Sequence, residues 1–385
     1  MGCLLIIVIV SAILRYNTIF TPVKLQAQIH LPFKASASLI EITASNTQKI
    51  EEISVFSSGE NDPVLRVSLS PDGCCVFAIH KSGALIKWDM ANHALISNYM
   101  LGNTHFRGTN FSADGSRLVT PREVLNGGKM LGANVWDTAS GKLVFCEGNP
   151  DDCPNGQYWD EQKGFFLDPT GEWLFGYHLS NLEYVSYQMS NIDIQNITNH
   201  SIDFTGSGYL LLGDQYSHDS NAVIVLMSAD INTKYLAYAL ADGMVRVETV
   251  KHPLTLENYG YSFDYGEGYQ KQRVDVIDLA IDDTRTWLAE LRSDELLVWN
   301  LQRGFLFPLV LRVPISQGTA LAFDHTGQTL TVSTDSEIRF YDLNWPNLAG
   351  SIPVKNTTTL TFSRDNRMLI SGDSAGAIHI WGIPK

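Results

Sequence analysis

Positive charge is scarce in this 385-residue chain. It has 27 Lys and Arg against 41 Asp and Glu, for a formal net charge of -14, and no basic run occurs anywhere. Nucleic-acid binding draws on a basic surface that neutralises phosphates, so no nucleic-acid partner is expected. Cysteine is scarce too, at 5 residues, and the 10 histidines are scattered. With no pair of Cys-x-x-Cys motifs, no metal centre is expected. The Gly-x-Ser-x-Gly elbow, the His-Glu-x-x-His helix and the phosphate-binding loop are all missing. His178, His200, His218 and His252 are isolated and read as surface residues. The sequence therefore assigns no catalytic residue and no cofactor. A hydrophobic run long enough to span a bilayer as a helix, roughly 20 residues, is also lacking at the N-terminus. Met1–Leu14 is apolar for about a dozen residues, which suits a signal-peptide core, with a cleavage site near Leu25-Gln26-Ala27. The alternative is an uncleaved anchor that tethers the chain to a membrane through residues 1–14. Either reading places the rest of the chain outside the cytoplasm, after a linker over residues 28–37.

What is present is a repeated unit, clearest at Val64–Tyr99. Val64–Leu69, Cys75–Ile79, Leu85–Trp88 and Ala94–Tyr99 read as four short strands. The turns between them are Ser70-Pro71-Asp72-Gly73, Lys81-Ser82-Gly83 and Met90-Ala91-Asn92. Strands this short cannot bury their faces alone, so the unit needs copies of itself. The first turn returns as Ser112-Ala113-Asp114-Gly115, Asp168-Pro169-Thr170-Gly171, Ser228-Ala229-Asp230, Asp282-Asp283-Thr284-Arg285, Asp324-His325-Thr326-Gly327 and Ser363-Arg364-Asp365-Asn366. Most copies run on to a strand ending in an aromatic and a polar residue: Trp88-Asp89, Trp136-Asp137, Trp299-Asn300, Tyr341-Asp342 and Trp381-Gly382.

These residues resemble the WD-repeat family of β-propellers, whose repeat is roughly 40–45 residues with four strands per blade. The resemblance runs from about Ser38 to the end and is weakest in the third and fourth units, where Val185 and Val247 stand at the Trp position. It implies an all-β fold: a single seven-bladed β-propeller of four-stranded antiparallel blades over residues 38–385. It also implies that Asp242, Asp294, Asp335 and Asp373 hold turns rather than catalyse. The last unit has only three strands, so the N-terminal segment Ile50–Phe56 is expected to complete it and close the ring. An eighth, incomplete blade begun by Ser38–Thr43 is the alternative.

Four insertions interrupt the pattern: Pro121–Ala133, Cys146–Lys163, Thr198–Asn221 and Glu257–Arg273. They fall between second and third strands or between fourth and first. In a propeller both kinds of connection emerge on one face. Their aromatics are the candidate binding residues: Tyr158, Trp159, Tyr216, Tyr259, Tyr261, Phe263, Tyr265 and Tyr269. Tyr and Trp offer large contact area with few rotors to freeze. Tyr259–Tyr269, with its spaced glycines, reads as an exposed, adaptable loop, and Pro121–Ala133 shows no strand pattern. Family resemblance implies a non-catalytic scaffold that binds a protein or peptide through this face. The alternative is a hydrolase or lyase acting on a polysaccharide or small ligand at the central opening. Cys146 and Cys153 bracket a short loop and are the candidate disulfide. Cys74 and Cys75, adjacent at a strand start, are expected to point to opposite faces. Asn196-Ile197-Thr198, Asn199-His200-Ser201 and Asn356-Thr357-Thr358 match glycan acceptors, whereas Asn110-Phe111-Ser112 falls at a strand end and reads as partly buried.

Overall fold

In the computed structural model, Val64–Leu69 (β3), Cys75–His80 (β4), Ala84–Asp89 (β5) and Leu95–Met100 (β6) pair in that order as one antiparallel sheet. It is preceded by Leu39–Ile40 (β1), a short 3-10 turn over Ala44–Lys49 and Glu51–Ser57 (β2). The structure describes residues 38–59, 61–102, 109–121, 124–125, 129–130, 132–146, 162–181, 188–196, 224–232, 235–240, 245–251, 255–263, 276–302 and 309–385. The leader, linker and cleavage readings lie outside these residues.

Further sheets follow the same plan. The second orders Asn110–Phe111 (β7), Arg117–Pro121 (β8), Ala133–Asp137 (β11) and Lys142–Cys146 (β12). Between its second and third strands come Val124–Leu125 (β9) and Lys129–Met130 (β10). The third sheet contains Gln162–Leu167 (β13), Trp173–Asn181 (β14) and Gln188–Asn196 (β15). The fourth runs Ile224–Ala229 (β16), Tyr235–Leu240 (β17), Val245–Lys251 (β18) and Thr255–Phe263 (β19). Val276–Ile281 (β20), Trp287–Arg292 (β21), Glu295–Asn300 (β22) and Leu309–Pro314 (β23) make the fifth. Gly318–Phe323 (β24), Thr329–Thr334 (β25), Glu337–Asp342 (β26) and Asn347–Pro353 (β27) make the sixth. Thr357–Phe362 (β28), Met368–Asp373 (β29) and Ala377–Pro384 (β30) begin the last. The chain is thus all-β, a set of mostly four-stranded antiparallel sheets consistent with a propeller-like fold.

The last sheet is finished by the N-terminal segment. β2 pairs antiparallel with β30, Phe56 opposite Ile378 and Glu51 opposite Gly382. β1 pairs with the same strand, Ile40 opposite Ile383, so Leu39–Ile40 of the Ser38–Thr43 segment belongs to this sheet. A charged bridge crosses the junction. His379 Nδ1 lies 2.6 Å from Glu52 Oε1, and its Nε2 lies 3.3 Å from Asp373 Oδ2. Hydrogen bonding to Asp373 raises the His379 pKa above its ordinary value, with Glu52 adding to the effect against the cost of burial. The folded state therefore holds this proton more tightly than the unfolded chain. The bridge contributes fully below the ordinary histidine range and is lost as pH rises through the elevated value. Thermal melts from about pH 6 to about pH 8 should show stability falling across that window. The fall should vanish in His379→Gln; a pH slope unchanged by that substitution would exclude the bridge as its source.

Side-chain alternation explains how the sheets pack. Val76 and Ala78 of β4 join a buried cluster with Phe56, Ile370, Ile378 and Ile380 of the last sheet. Phe77 and Ile79, on the other face, join Leu118 and Trp136 of the second. Successive side chains of a strand point to opposite faces, so one strand serves two cores. Leu167 and Leu174 of the third sheet pack with Val119 and Val135 of the second in the same way. First strands meet in the order β3, β7, β13, β16, β20, β24, β28, and β28 meets β3.

Outside the fourth sheet, where Asn232 follows Asp230, the turn between first and second strands is built from one hydroxyl and one carboxylate in either order. Ser70 Oγ donates to Asp72 Oδ1 at 2.6 Å, Ser112 Oγ to Asp114 at 2.8 Å and Ser363 Oγ to Asp365 at 2.7 Å. Reversed, Thr170 and Thr326 donate to Asp168 and Asp324 at 2.5 and 2.6 Å, and Thr284 donates to Asp282. The fourth turn residue takes positive φ: Gly73, Gly115, Gly171, Arg285, Gly327 and Asn366. Neighbouring turns touch. Ala113 N donates to Pro169 O, His325 N to Asn366 Oδ1, and His325 Nδ1 lies 2.5 Å from Asp283 Oδ2.

Candidate functional site

Within each antiparallel sheet, the end that carries the second-to-third-strand turn also receives the chain from the preceding sheet. Three of the insertions fall at these ends: Pro121–Ala133, the interval between β12 and β13, and the interval between β19 and β20. Thr198–Asn221 follows β15, the third strand of its sheet and not a fourth as the sequence reading has it, and lies outside the described residues. Pro121–Ala133, read as strandless, contains the β9–β10 hairpin, Met130 opposite Val124. It leaves the second sheet and pairs with the third, Met130 opposite Gln162 at the start of β13. A two-residue strand is too short to alternate, so periodicity is silent here; the dipeptide Asn126-Gly127, a favoured hairpin turn, is the signal that marks it. One further interval, 303–308, separates β22 from β23 at the opposite end of the fifth sheet.

Tyr259, Tyr261 and Phe263 are not in a loop: they lie in β19, the outer strand of the fourth sheet. Tyr261 stands opposite Val247 and Phe263 opposite Val245. The cause is visible in the sequence as a period of two, with aromatics at 259, 261 and 263, the pattern a strand favours. The backbone thus brings three candidate residues to one strand. Tyr158, Trp159, Tyr216, Tyr265, Tyr269 and Cys153 lie outside the described residues. Cys146, at the end of β12, is disulfide-bonded.

Register also corrects the positions that lack Trp. Trp88, Trp136, Trp299, Tyr341 and Trp381 each stand opposite the second residue of the neighbouring strand: Val76, Leu118, Leu288, Leu330 and Leu369. By that rule Glu248, opposite Leu236, holds the place in the fourth sheet, one residue from Val247. Gln195, opposite Leu174, holds it in the third, where Val185 precedes β15 and lies outside the described residues. Trp136 Nε1 donates to Thr120 Oγ1, and Trp381 Nε1 to Ser371 Oγ, both at 2.9 Å. Each hydroxyl lies two residues beyond the residue opposite the Trp. Glu290 occupies that place in the fifth sheet.

Toward the middle of the first strands lie Arg66 of β3 and Asp278 of β20, within electrostatic reach of each other. Burial raises the Asp278 pKa above the usual carboxylate value, against the pull of Arg66. Burial lowers the Arg66 value, against the pull of Asp278. Asp278 Oδ2 accepts the Leu321 amide of the sixth sheet at 3.0 Å, and Oδ1 accepts the Leu279 amide at 3.0 Å. This carboxylate therefore ties two sheets together. Among the described residues no group of three His, Cys, Asp and Glu is placed to hold a metal ion.

The turn aspartates divide. Asp373 Oδ1 accepts the amides of Ala375 and Ala377 at 2.9 and 2.8 Å, a turn-holding role. Asp294 and Asp335 accept through their carbonyls, from Ile315 and Asn356. Asp242 lies outside the described residues. The Asn110 amide exchanges two hydrogen bonds with Leu167 of the third sheet, at 2.8 and 3.0 Å, in keeping with its reading as half-buried.

One exposed aromatic escaped the sequence reading. Trp345, 76% exposed, stands on the β26–β27 turn beside the exposed Leu348. Its signal was the turn Asn344-Trp345-Pro346-Asn347, which places a large apolar side chain where no strand can cover it. No family model matches the chain, and no curated protein matches it.

Proposed function

We propose that the sheets form one seven-bladed propeller of the WD-repeat kind, closed by β2 on β30, and that it serves as a non-catalytic scaffold outside the cytoplasm. Its partner is a protein or peptide, held on the face that carries the insertions. The β9–β10 hairpin carries this reading. It spans from one sheet to the next on the insertion-bearing side and is fixed there by strand pairing to β13. A rigid scaffold that presents extended connections is where binding residues concentrate. Tyr259, Tyr261 and Phe263 on β19 supply aromatic positions from the fourth sheet, and the insertions add Tyr158, Trp159, Tyr216, Tyr265 and Tyr269. A pairing of the bonded Cys146 with Cys153 would suit an oxidising compartment and brace the insertion that carries Tyr158 and Trp159.

The position of β19 decides how the test is built. Deleting Glu257–Arg273 would remove most of β19, all but Thr255 and Leu256, so the replacement is confined to residues 264–273, exchanged for a Gly-Ser linker of equal length. Full chains with and without the exchange are used to capture partners from the native cell's extracellular fraction. Capture of a specific protein should fall at least about tenfold while the melting temperature stays unchanged, a loss expected when aromatic anchors are removed. Undiminished capture by the folded variant would rule this segment out of the binding surface.

A further inference from the structure

Cys74 and Cys75 are adjacent in sequence, and their sulfur atoms lie 2.9 Å apart. They do not point to opposite faces as strand alternation predicts, because Cys74 still belongs to the turn and only Cys75 enters β4. The backbone on both sides is pinned. Cys74 N donates to Asp72 Oδ1 at 3.1 Å, and its carbonyl accepts from Met90 N at 2.9 Å. Cys75 N donates to Ser70 Oγ at 3.0 Å, and its carbonyl accepts from Ser70 N at 2.9 Å. Cys75 is buried, whereas Cys74 is partly exposed, so a reagent in solution reaches one thiol and the second waits behind it. Both are free thiols in this structure.

We propose that Cys74–Cys75 is a reversible oxidation site, at which a small disulfide such as glutathione disulfide converts the two thiols to a vicinal disulfide. The Cys74 thiolate attacks the glutathione disulfide and forms a mixed disulfide. The first glutathione leaves as thiolate and takes up the proton lost from Cys74. Cys75 then attacks the Cys74 sulfur, and the second glutathione leaves with the proton from Cys75. Two cysteines lose one electron each, and one glutathione disulfide becomes two glutathiones. Adjacent α-carbons across a trans peptide are about 3.8 Å apart, shorter than the 4.4–6.8 Å usual for disulfides. The ring is therefore strained and easily reduced again, which makes it a switch and not a staple. Burial, the hydrogen bond to Cys75 and the nearby Asp72 push the Cys74 thiol up to about 12. Thiolate is rare at neutral pH, so attack on the oxidant is slow and the pair oxidises only on prolonged exposure.

The full chain, incubated with graded ratios of glutathione disulfide to glutathione, is quenched in acid, alkylated and digested with trypsin. The peptide Val67–Lys81 carries both thiols and no other cysteine. As oxidant rises, this peptide should appear two hydrogens lighter and unalkylated, and excess glutathione should return it to the doubly alkylated form. Cys74→Ser should abolish the lighter form while the melting temperature holds. Double alkylation at every ratio, or a stable glutathione adduct with no lighter form, would overturn the proposal.

Discussion

Replacing Arg292 with methionine is expected to destabilise the protein by about 3–5 kcal/mol, the loss seen when one partner of a buried ion pair is removed. Arg292 and Glu290 are alternate residues of β21 on one face, with side chains 2% and 0% exposed. Arg292 Nε donates to Glu290 Oε1 at 2.8 Å, and its Nη1 donates to Glu295 Oε1 at 3.1 Å. Arg312 completes the array, 2.8 Å from Glu295 Oε2. Burial pushes the Glu290 carboxyl well above the usual range, with Glu295 adding to the effect, and burial lowers Arg292. Without the guanidinium, two carboxylates share a site with little water.

The sign of the pH dependence follows. A carboxyl held above its unfolded value contributes stability that is fully present at acid pH and is lost as pH rises through the folded value. The deficit of Arg292→Met should thus be smaller near pH 5 than near pH 8, as roughly judged from an ordinary Glu of about 4.3. Adding Glu290→Gln should restore part of the loss, since the buried charge goes with its partner. Denaturant midpoints at both pH values test this. A single variant within about 1 kcal/mol of the native protein would mean that water screens the array after all.

Gly115→Val is the second large effect, and it acts at a single point of contact between sheets. Gly115 holds φ at 69°, a region that β-branched residues avoid. A Cβ there would fall on the Leu69 carbonyl oxygen and crowd Ser68 Oγ, both in the first sheet. Backbone cannot swing aside as a side chain does, so strain and overlap add. The expected cost is about 2–4 kcal/mol, from the left-handed conformation and the overpacking together. Gly59→Ala is the control: it shares the positive φ of 79° but meets nothing within 4 Å. It should cost only about 1 kcal/mol. Equal losses in the two variants would assign the whole effect to backbone conformation.

Much of this architecture was legible in the residues. The second strand of the first unit reads as Cys75–Ile79, and the strand is Cys75–His80; the closing segment reads as Ile50–Phe56, and the strand is Glu51–Ser57. These succeed because hydrophobic alternation and turn residues agree at the same places. The misses share a cause, which is that long-range pairing leaves little local trace. β9 and β10 form a hairpin of two-residue strands, and only β10 is anchored further off, with Met130 opposite Gln162 over thirty residues away. Tyr259–Phe263 alternates, but Gly260 and the preceding Asn258 imitate a loop. In β18 the aromatic position passed to Glu248, because a strand with Val at 245, 247 and 250 offers several registers to the eye and one to its neighbour. The Glu290–Arg292 array did have a signal, two opposite charges at an interval of two inside the otherwise apolar run Trp287–Arg292. Of the candidate binding residues, the structure places three, on β19.

The pairing of β2 with β30 has a consequence for the order of events during synthesis. His379 and Glu52 are separated by 327 positions in the chain. The N-terminal strand leaves the ribosome first yet must wait, edge unpaired, until the final strand has followed it out. Contacts this distant in sequence form slowly, and an idle strand edge invites pairing with other nascent copies. Assembly of the last sheet should therefore be the late, chaperone-dependent stage of biogenesis, and slowing translation should lengthen the vulnerable interval in proportion.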